Sequence, residues 1–517
     1  MLAGGCTALA ALVSFGTIGF SGPPPSARVG VIPADALHIA LALGAGLAAV
    51  VAGWRAESPR RIFIAIAPLL FVFLPWLPLP VPPAFLVWTG RLASLMWIAA
   101  GAAIGALILS PGSTTSWTFY GFSRDSALLP GVLSAVVFSL AAWGASPSLP
   151  GGDEPHYLVI TQSLLEDGDL KIANNHQRGD YREYFFGDLA PHSIRPGRNG
   201  EIYSIHAPGI PALVAPAFAI AGYRGVVVFL ILLSSAGCAL AWSLGRRVTG
   251  STSAAWFGWA AVTFAAPFLL ESFTVFPDGP GAVVVLTGFW ALLRVETEAE
   301  KDRGWTAWML HGAALALLPW MHTRFAVLAG TLGGLVLVRI ARAPNPLGKA
   351  VAFLAAPAAS ALGWLFFFTI VYGAPDPSAP YGRDTQNSLA YLANGFGGLL
   401  FDQGFGLLAT APILAIALAG FARTRRLAVE WFVVAVPYLL AVATYAMWWA
   451  GMSGPARFLV PLVLPLSIPA ACAWAAVRSR GARAVMLAAL VVSAWLSVVM
   501  AGGGGGRLGY HTRNEGD

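Results

Sequence analysis

Apolar runs of about 20 residues recur along nearly the whole 517-residue chain, and that repetition constrains the fold more than any motif does. Crossing the hydrocarbon of a bilayer takes roughly 20 mostly apolar residues per helix. In lipid, a run of that length satisfies its own backbone polar groups as a helix. Composition agrees: 57% of residues are hydrophobic and 11% charged, against roughly 25% charged in an average soluble domain. Alternation at strand period, the mark of a membrane barrel, is absent. The sequence therefore predicts an all-α polytopic membrane protein of about 13 to 15 spans.

The candidate spans are 2–21, 34–54, 62–80, 84–110, 125–146, 224–245, 252–270, 276–294, 305–320, 322–340, 350–372, 404–421, 427–449, 457–477 and 484–500. The first has no basic residues before it and reads as a genuine helix, not a cleaved signal. Residues 207–222 are apolar but short, with Pro208, Pro211 and Pro216, and read as an interfacial or half-inserted helix.

Basic loop residues set the orientation. With the first helix running outward, Arg55, Arg60, Arg61, Arg124, Arg246, Arg247, Arg294, Arg339, Arg342, Arg423, Arg425, Arg426, Arg478 and Arg480 all fall on the cytoplasmic side. Acidic residues collect on the other side, and the loop 147–206 lies outside. The formal charge of +7 thus reflects topology and gives no reason to expect nucleic acid as a partner. Cys6, Cys238 and Cys472 are scattered through apolar runs and suggest neither a disulfide framework nor a zinc site.

Three regions follow: an N-terminal bundle of four spans over 1–123, a main transmembrane unit over 124–500 with outer loops 147–206 and 373–403, and a flexible tail over 501–517. The stretch Gly151-Gly152-Asp153-Glu154-Pro155-His156-Tyr157 opens the first outer loop. Pro155 suits a first helical turn and an acidic residue suits the cap, so a helix is expected over 155–166, lying along the membrane surface on one apolar face. An ionised Asp153 there can accept a proton from a hydroxyl arriving from outside. The plainer alternative is that Asp153 and Glu154 only cap a solvated helix.

This stretch resembles the acidic first-loop motif of the GT-C superfamily of membrane glycosyltransferases, in particular the protein O-mannosyltransferase and aminoarabinose transferase type. Ser204-Ile205-His206-Ala207-Pro208-Gly209-Ile210-Pro211 is similar to a second element of that group, with Ala207 and Gly209 as departures. Phe276-Pro277-Asp278, Trp320-Met321-His322-Thr323-Arg324, Phe401-Asp402-Gln403-Gly404 and Trp448-Trp449-Ala450 through Arg457 look like further elements of a bacterial branch. The resemblance covers roughly residues 125–500.

It implies a GT-C-like helix bundle whose first outer loop carries interfacial helices, a sugar donor on a polyprenyl phosphate, and inverting transfer to a hydroxyl of a glycan, lipid or protein acceptor. It further implies Asp153 as general base with Glu154 beside it. Arg324 and Arg457, with His206, are the expected phosphate binders, since guanidinium meets phosphate through several donors. His156, Tyr157, Asp278, His322, Asp402 and Gln403 are expected around the substrate. Both arginines also suit interfacial anchoring, and a lid of Tyr381 and Arg383 is a weaker expectation. A divalent ion could use Asp153 with His206 or Asp278, but the spacing demands none, and no metal or other cofactor is expected to be required. The compartment implied is a bacterial inner membrane, with the site facing outward. A lipid-linked oligosaccharide polymerase or ligase, a secondary transporter and a non-enzymatic scaffold remain the competing classes.

Overall fold

The computed structural model describes residues 2–20, 28–55, 59–77, 93–109, 126–297, 305–382 and 386–513. Among these described residues it is all-α apart from one small hairpin. The N-terminal part comprises α1 (Leu2–Phe15), β1 (Thr17–Phe20), β2 (Arg28–Val31), α2 (Ala36–Arg55), α3 (Pro59–Ile66) and α4 (Ala93–Leu109). Then come α5 (Leu128–Ala145), α6 (Glu154–Gln162), α7 (Ala173–Arg178), α8 (Gly209–Thr249), α9 (Thr252–Thr263), α10 (Ala266–Glu271) and α11 (Asp278–Thr297). After these follow α12 (Trp305–Ala316), α13 (Leu318–Met321), α14 (Phe325–Ile340), α15 (Pro346–Tyr372), α16 (Leu392–Phe401), α17 (Leu407–Thr410), α18 (Leu414–Phe421), α19 (Arg425–Ala443), α20 (Ser467–Ala476) and α21 (Arg480–Gly502).

Among the described residues, six helices are long and apolar enough to cross a membrane: α2, α5, α8, α15, α19 and α21. The protein is a multi-pass membrane protein. The other expected spans are occupied by shorter or broken helices, and proline accounts for much of the breakage because it removes an amide and clashes with the preceding turn. The expected span 305–320 divides into α12 and α13 around Pro319, and the expected span 457–477 begins as 3₁₀ turns holding Pro461 and Pro465 before α20. The first expected span is shorter than the sequence suggested. Its helix ends at Phe15, and residues 17–20 pair antiparallel with 28–31, Thr17 opposite Val31.

Residues 209–220 are helical, forming the first limb of α8, which turns sharply where Ala221 and Gly222 leave helical geometry. The expectation of a single apolar face for the loop helix is corrected. Helix α6 is enclosed on all sides, with Tyr157, Leu158, Val159 and Thr161 all fully buried. One continuous apolar core runs from α5 through α21, while α1 to α4 share a second core that meets the main body at Phe401. Phe71 packs edge-on against Phe401 with ring centroids 4.6 Å apart.

Charge separates along the bundle. Arg324 stands just before the start of α14 and Arg339 lies in its last turn, about 22 Å further on at 1.5 Å per residue. At that far end Arg339 and Glu430 form a buried pair, with Arg426 beside them.

Candidate active site

Asp153, His206, Asp278 and Arg324 sit just before or at the starts of α6, α8, α11 and α14, so four helix N-termini converge at one end of the bundle. Their helix dipoles create a positive potential at that end that favours an anion.

At the centre lies Asp278, fully buried, with one carboxylate oxygen accepting from the Arg324 guanidinium at 2.6 Å and the other from Arg457 Nε at 2.9 Å. Arg457 also reaches Asp153 Oδ2 and the Ala450 carbonyl, each at 3.3 Å, and its guanidinium lies 3.8 Å from the Phe276 ring centroid. Arg324 donates through Nε to the Tyr438 hydroxyl at 3.2 Å and stacks over Phe458 at 4.3 Å. Its side chain keeps 13% of its surface exposed, against 4% for Arg457. Arg324 is therefore the better placed of the two to meet a ligand. His322 Nδ1 accepts from the Arg324 amide at 3.3 Å.

Asp153 does not cap α6; its side chain accepts nothing from the helix. The cause is Gly152, whose positive φ of 56° turns the chain so that the carboxylate faces Arg457. A Cβ at Gly152 would run into the Met452 carbonyl, whereas one at Gly200, φ 79°, meets nothing within 4 Å. Gly200→Ala should thus cost only the left-handed backbone penalty of about 1–2 kcal/mol. Gly152→Ala is expected to cost clearly more, measured as the difference in thermal unfolding between the two variants.

Glu154 serves the backbone. Its two oxygens accept from the Gly151 amide at 3.0 Å and the Val275 amide at 2.8 Å, pinning the loop to the segment before α11. Burial pushes its carboxyl up to about 7, against the pull of those two amides and Arg457. For an acid raised on folding, the added stability is complete below the free value of 4.5 and is lost as pH rises through about 7. The protein should therefore lose melting temperature between pH 5 and 8, and Glu154→Gln should flatten that slope even if the variant is less stable throughout.

Burial also pushes the Asp153 carboxyl up, but His206, Arg457, His192 and His156 outweigh it and hold the group at about 2. Burial pushes His206 down to about 3 and His156 down to about 4, so both are neutral near pH 7. Arg457 then still faces Asp153 with a positive charge, whereas His206 and His156 do not. The imidazole of His206 lies 3.9 Å from Asp153 and 3.0 Å from His192 Nδ1. Tyr157 packs on the His206 ring at 4.6 Å, its hydroxyl buried without a hydrogen-bond partner. His156 lies 5.8 Å from the same ring, with Nδ1 likewise unpartnered.

The structure thus gathers Asp153, His156, Tyr157, His206, Asp278, His322, Arg324 and Arg457 into one cluster. Asp402 and Gln403 stand apart. Asp402 Oδ1 accepts from the Gly404 and Phe405 amides and closes its own turn, while Gln403 is exposed. That turn is tied to the cluster's neighbourhood through the Phe405 carbonyl, which accepts from the Ala456 amide next to Arg457. Arg383 lies outside the described residues.

Sequence reasoning missed two residues. His192 reaches Asp153 and His206 because Ile205 donates to the His192 carbonyl and folds the loop back, a contact no spacing could reveal. Glu271 is fully buried, with Oε2 accepting from Thr274 and Oε1 unpartnered, and Arg457 acts on it electrostatically. A carboxylate at the end of an apolar run was the available signal.

The tail expectation is corrected for residues 503–513. The Tyr510 hydroxyl donates to the Leu270 carbonyl at 2.7 Å, His511 pairs with Ser453, and Arg513 stacks over Trp448 and Trp449. The glycine run lets the chain turn back, with positive φ at Gly504, Gly505 and Gly506.

No protein-family model matches the sequence, and no curated protein matches it. Among solved structures, the chain is similar to ArnT from Cupriavidus metallidurans in the apo state, at 18% identity and TM-score 0.45, covering 67% of this chain and 59% of that one. The same protein bound to undecaprenyl phosphate matches at 16% identity and TM-score 0.47, covering 72% and 64%. The archaeal oligosaccharyltransferase AglB from Archaeoglobus fulgidus, in complex with an inhibitory peptide and a dolichol-phosphate, matches at 13% identity and TM-score 0.40, covering 75% and 56%. Both proteins are GT-C superfamily membrane glycosyltransferases. The likeness is one of helix arrangement, and the chain spans less than two thirds of each of these structures.

Proposed function

We propose that this chain is a GT-C-type glycosyltransferase that moves a sugar from a polyprenyl-phosphate donor to an acceptor hydroxyl, with inversion, at the outer face of a bacterial inner membrane. The observation that carries this reading is the pairing of an ionised, one-third exposed Asp153 with the buried Arg324, Arg457 and Asp278 cluster, where four helix N-termini meet. A base and an anion site share one cluster.

In a single displacement the acceptor oxygen bonds to the anomeric carbon as its proton passes to Asp153 Oδ1. The bond from that carbon to the donor phosphate oxygen breaks, and its electrons stay on the phosphate. The remaining Arg324 donors and the helix dipoles stabilise that charge. Attack and departure on opposite faces invert the centre. Beside His206 and Thr323 lies a slot lined by Tyr203, Trp320, Trp364 and Phe367, which suits the apolar chain of the donor.

The test is transfer by purified protein in lipid from a panel of synthetic polyprenyl-phosphate sugars, scored with added acceptors and with water. Turnover of one donor supports the reading and identifies the sugar. Absence of turnover and of saturable binding for every donor, in folded protein, would overturn it.

A further inference from the structure

We propose that residues 503–513 form a strap that fixes the position of Asp153 against Arg457, with Tyr510 and His511 as positioning residues for proton transfer. The consequence for transfer rests on the reading of Asp153 as a base; the strap itself does not.

The strap begins where α21 ends at Gly502. Gly504, Gly505 and Gly506 take positive φ and turn the chain back across the end of α5. A Cβ at Gly506 would lie 2.9 Å from Ala145 Cα, and one at Gly505 would lie 3.0 Å from the Pro147 ring, so only glycine allows so close a crossing. There the Gly505 carbonyl accepts from Ser148 Oγ at 2.7 Å. Ser148 opens the short segment that runs through Gly152 to Asp153.

The following residues meet the other segments of the cluster. Tyr510 is buried and donates to the Leu270 carbonyl at 2.7 Å, beside Glu271. His511 pairs with Ser453 in an isolated antiparallel bridge, and its ring lies 4.6 Å from that of Phe405. The Phe405 carbonyl in turn accepts at 2.8 Å from the amide of Ala456, which directly precedes Arg457. Arg513 lies over Trp448 and Trp449, where the loop leading to Arg457 begins. One run of chain thus ties together the segments that deliver Asp153, Glu271 and Arg457.

That loop needs holding. Ala450 and Ala456 have φ of 71° and 49°, sparsely populated conformations for a residue with a Cβ, which persist only where surrounding contacts fix them. Both bear on Arg457, because the Ala450 carbonyl accepts from its Nη1 at 3.3 Å and Ala456 is its neighbour in the chain. The same loop bears on Asp153, because the Met452 carbonyl packs directly against Gly152, the residue whose turn aims the carboxylate. A displaced loop therefore moves the arginine and the aspartate together, and a misplacement of about 1 Å at a reacting group can cost roughly 10²-fold in rate.

The experiment uses the full-length chain with His511→Ala, with His511→Phe to keep a ring against Phe405, and with Tyr510→Phe to remove the bond to Leu270 alone. Amide hydrogen exchange, read by mass spectrometry over 148–154 and 448–458, needs no donor. His511→Ala is expected to speed exchange in both segments, Tyr510→Phe to do so less, and His511→Phe to return it toward wild type. In the transfer assay, His511→Ala should lower kcat by up to roughly 10²-fold and leave the donor KM nearly unchanged, because Arg324 does not touch the strap; His511→Phe should recover kcat. A merely structural role would lower the melting temperature without that division between kcat and KM. Unchanged exchange in His511→Ala overturns the strap, and faster exchange with unchanged kcat overturns the positioning role. If His511→Ala does not fold, Tyr510→Phe carries the same two readings. If no donor is turned over, the exchange measurement still decides the strap.

Discussion

Asp153→Asn is expected to lower transfer by roughly 10²- to 10⁴-fold, the usual contribution of a positioned general base. The substitution keeps the side chain's size and one oxygen for Arg457, and removes the charge that accepts the proton. The Asp153 carboxylate is 32% exposed and its contact with Arg457 is 3.3 Å, so the variant should lose only a modest amount of stability near pH 7. Its carboxyl is depressed to about 2, which sets the sign of its pH effect. An acid depressed on folding contributes stability above its free value of 3.8 that is lost as pH falls toward 2. The variant should therefore resist acid unfolding more evenly than the wild type below pH 4. Asp153 is ionised throughout pH 5 to 8, and no limb of the rate profile in that range should come from it. Equal turnover by the two folded proteins would remove Asp153 from the base role.

Asp278→Ala is expected to be far more damaging to the fold. Asp278 is fully buried and accepts from Arg324 and Arg457 at once. Removing one partner of a buried ion pair costs about 3–5 kcal/mol, because the remaining charge is left in a medium that cannot solvate it. Here two guanidinium groups lose their shared counter-charge and repel each other, so the loss should reach the top of that range or prevent recovery of folded protein. Denaturant unfolding in detergent measures it, with Asp278→Asn as the milder companion that keeps one acceptor oxygen. An Asp278→Ala protein as stable as the wild type would show that the carboxylate does not hold the two arginines together.

Much of this molecule was legible before any coordinates. Helices occupy nearly all the described parts of the expected spans, because apolar length is a local property. The cluster residues were legible as well: Asp153, His206, Asp278, Arg324 and Arg457 each stand at a helix start, where a polar residue interrupts an apolar run. Their roles were less so. Asp153 looked like a cap by sequence position, and only the left-handed turn at Gly152 aims it elsewhere. Glu154, beside it, looked like a second acid, yet both its oxygens are taken by backbone amides.

The sequence by itself determined that the chain is an all-α membrane protein. Hydrophobic length is summed along the chain and needs no partner. Only the tertiary structure decided that one aspartate holds two arginines, that His192 joins Asp153 and His206, and that residues after Gly502 return to the Trp448–Trp449 loop. Those contacts join residues from 14 to 179 positions apart. Their formation depends on which helix ends pack together, a choice made by burial and by the need to compensate charge away from water.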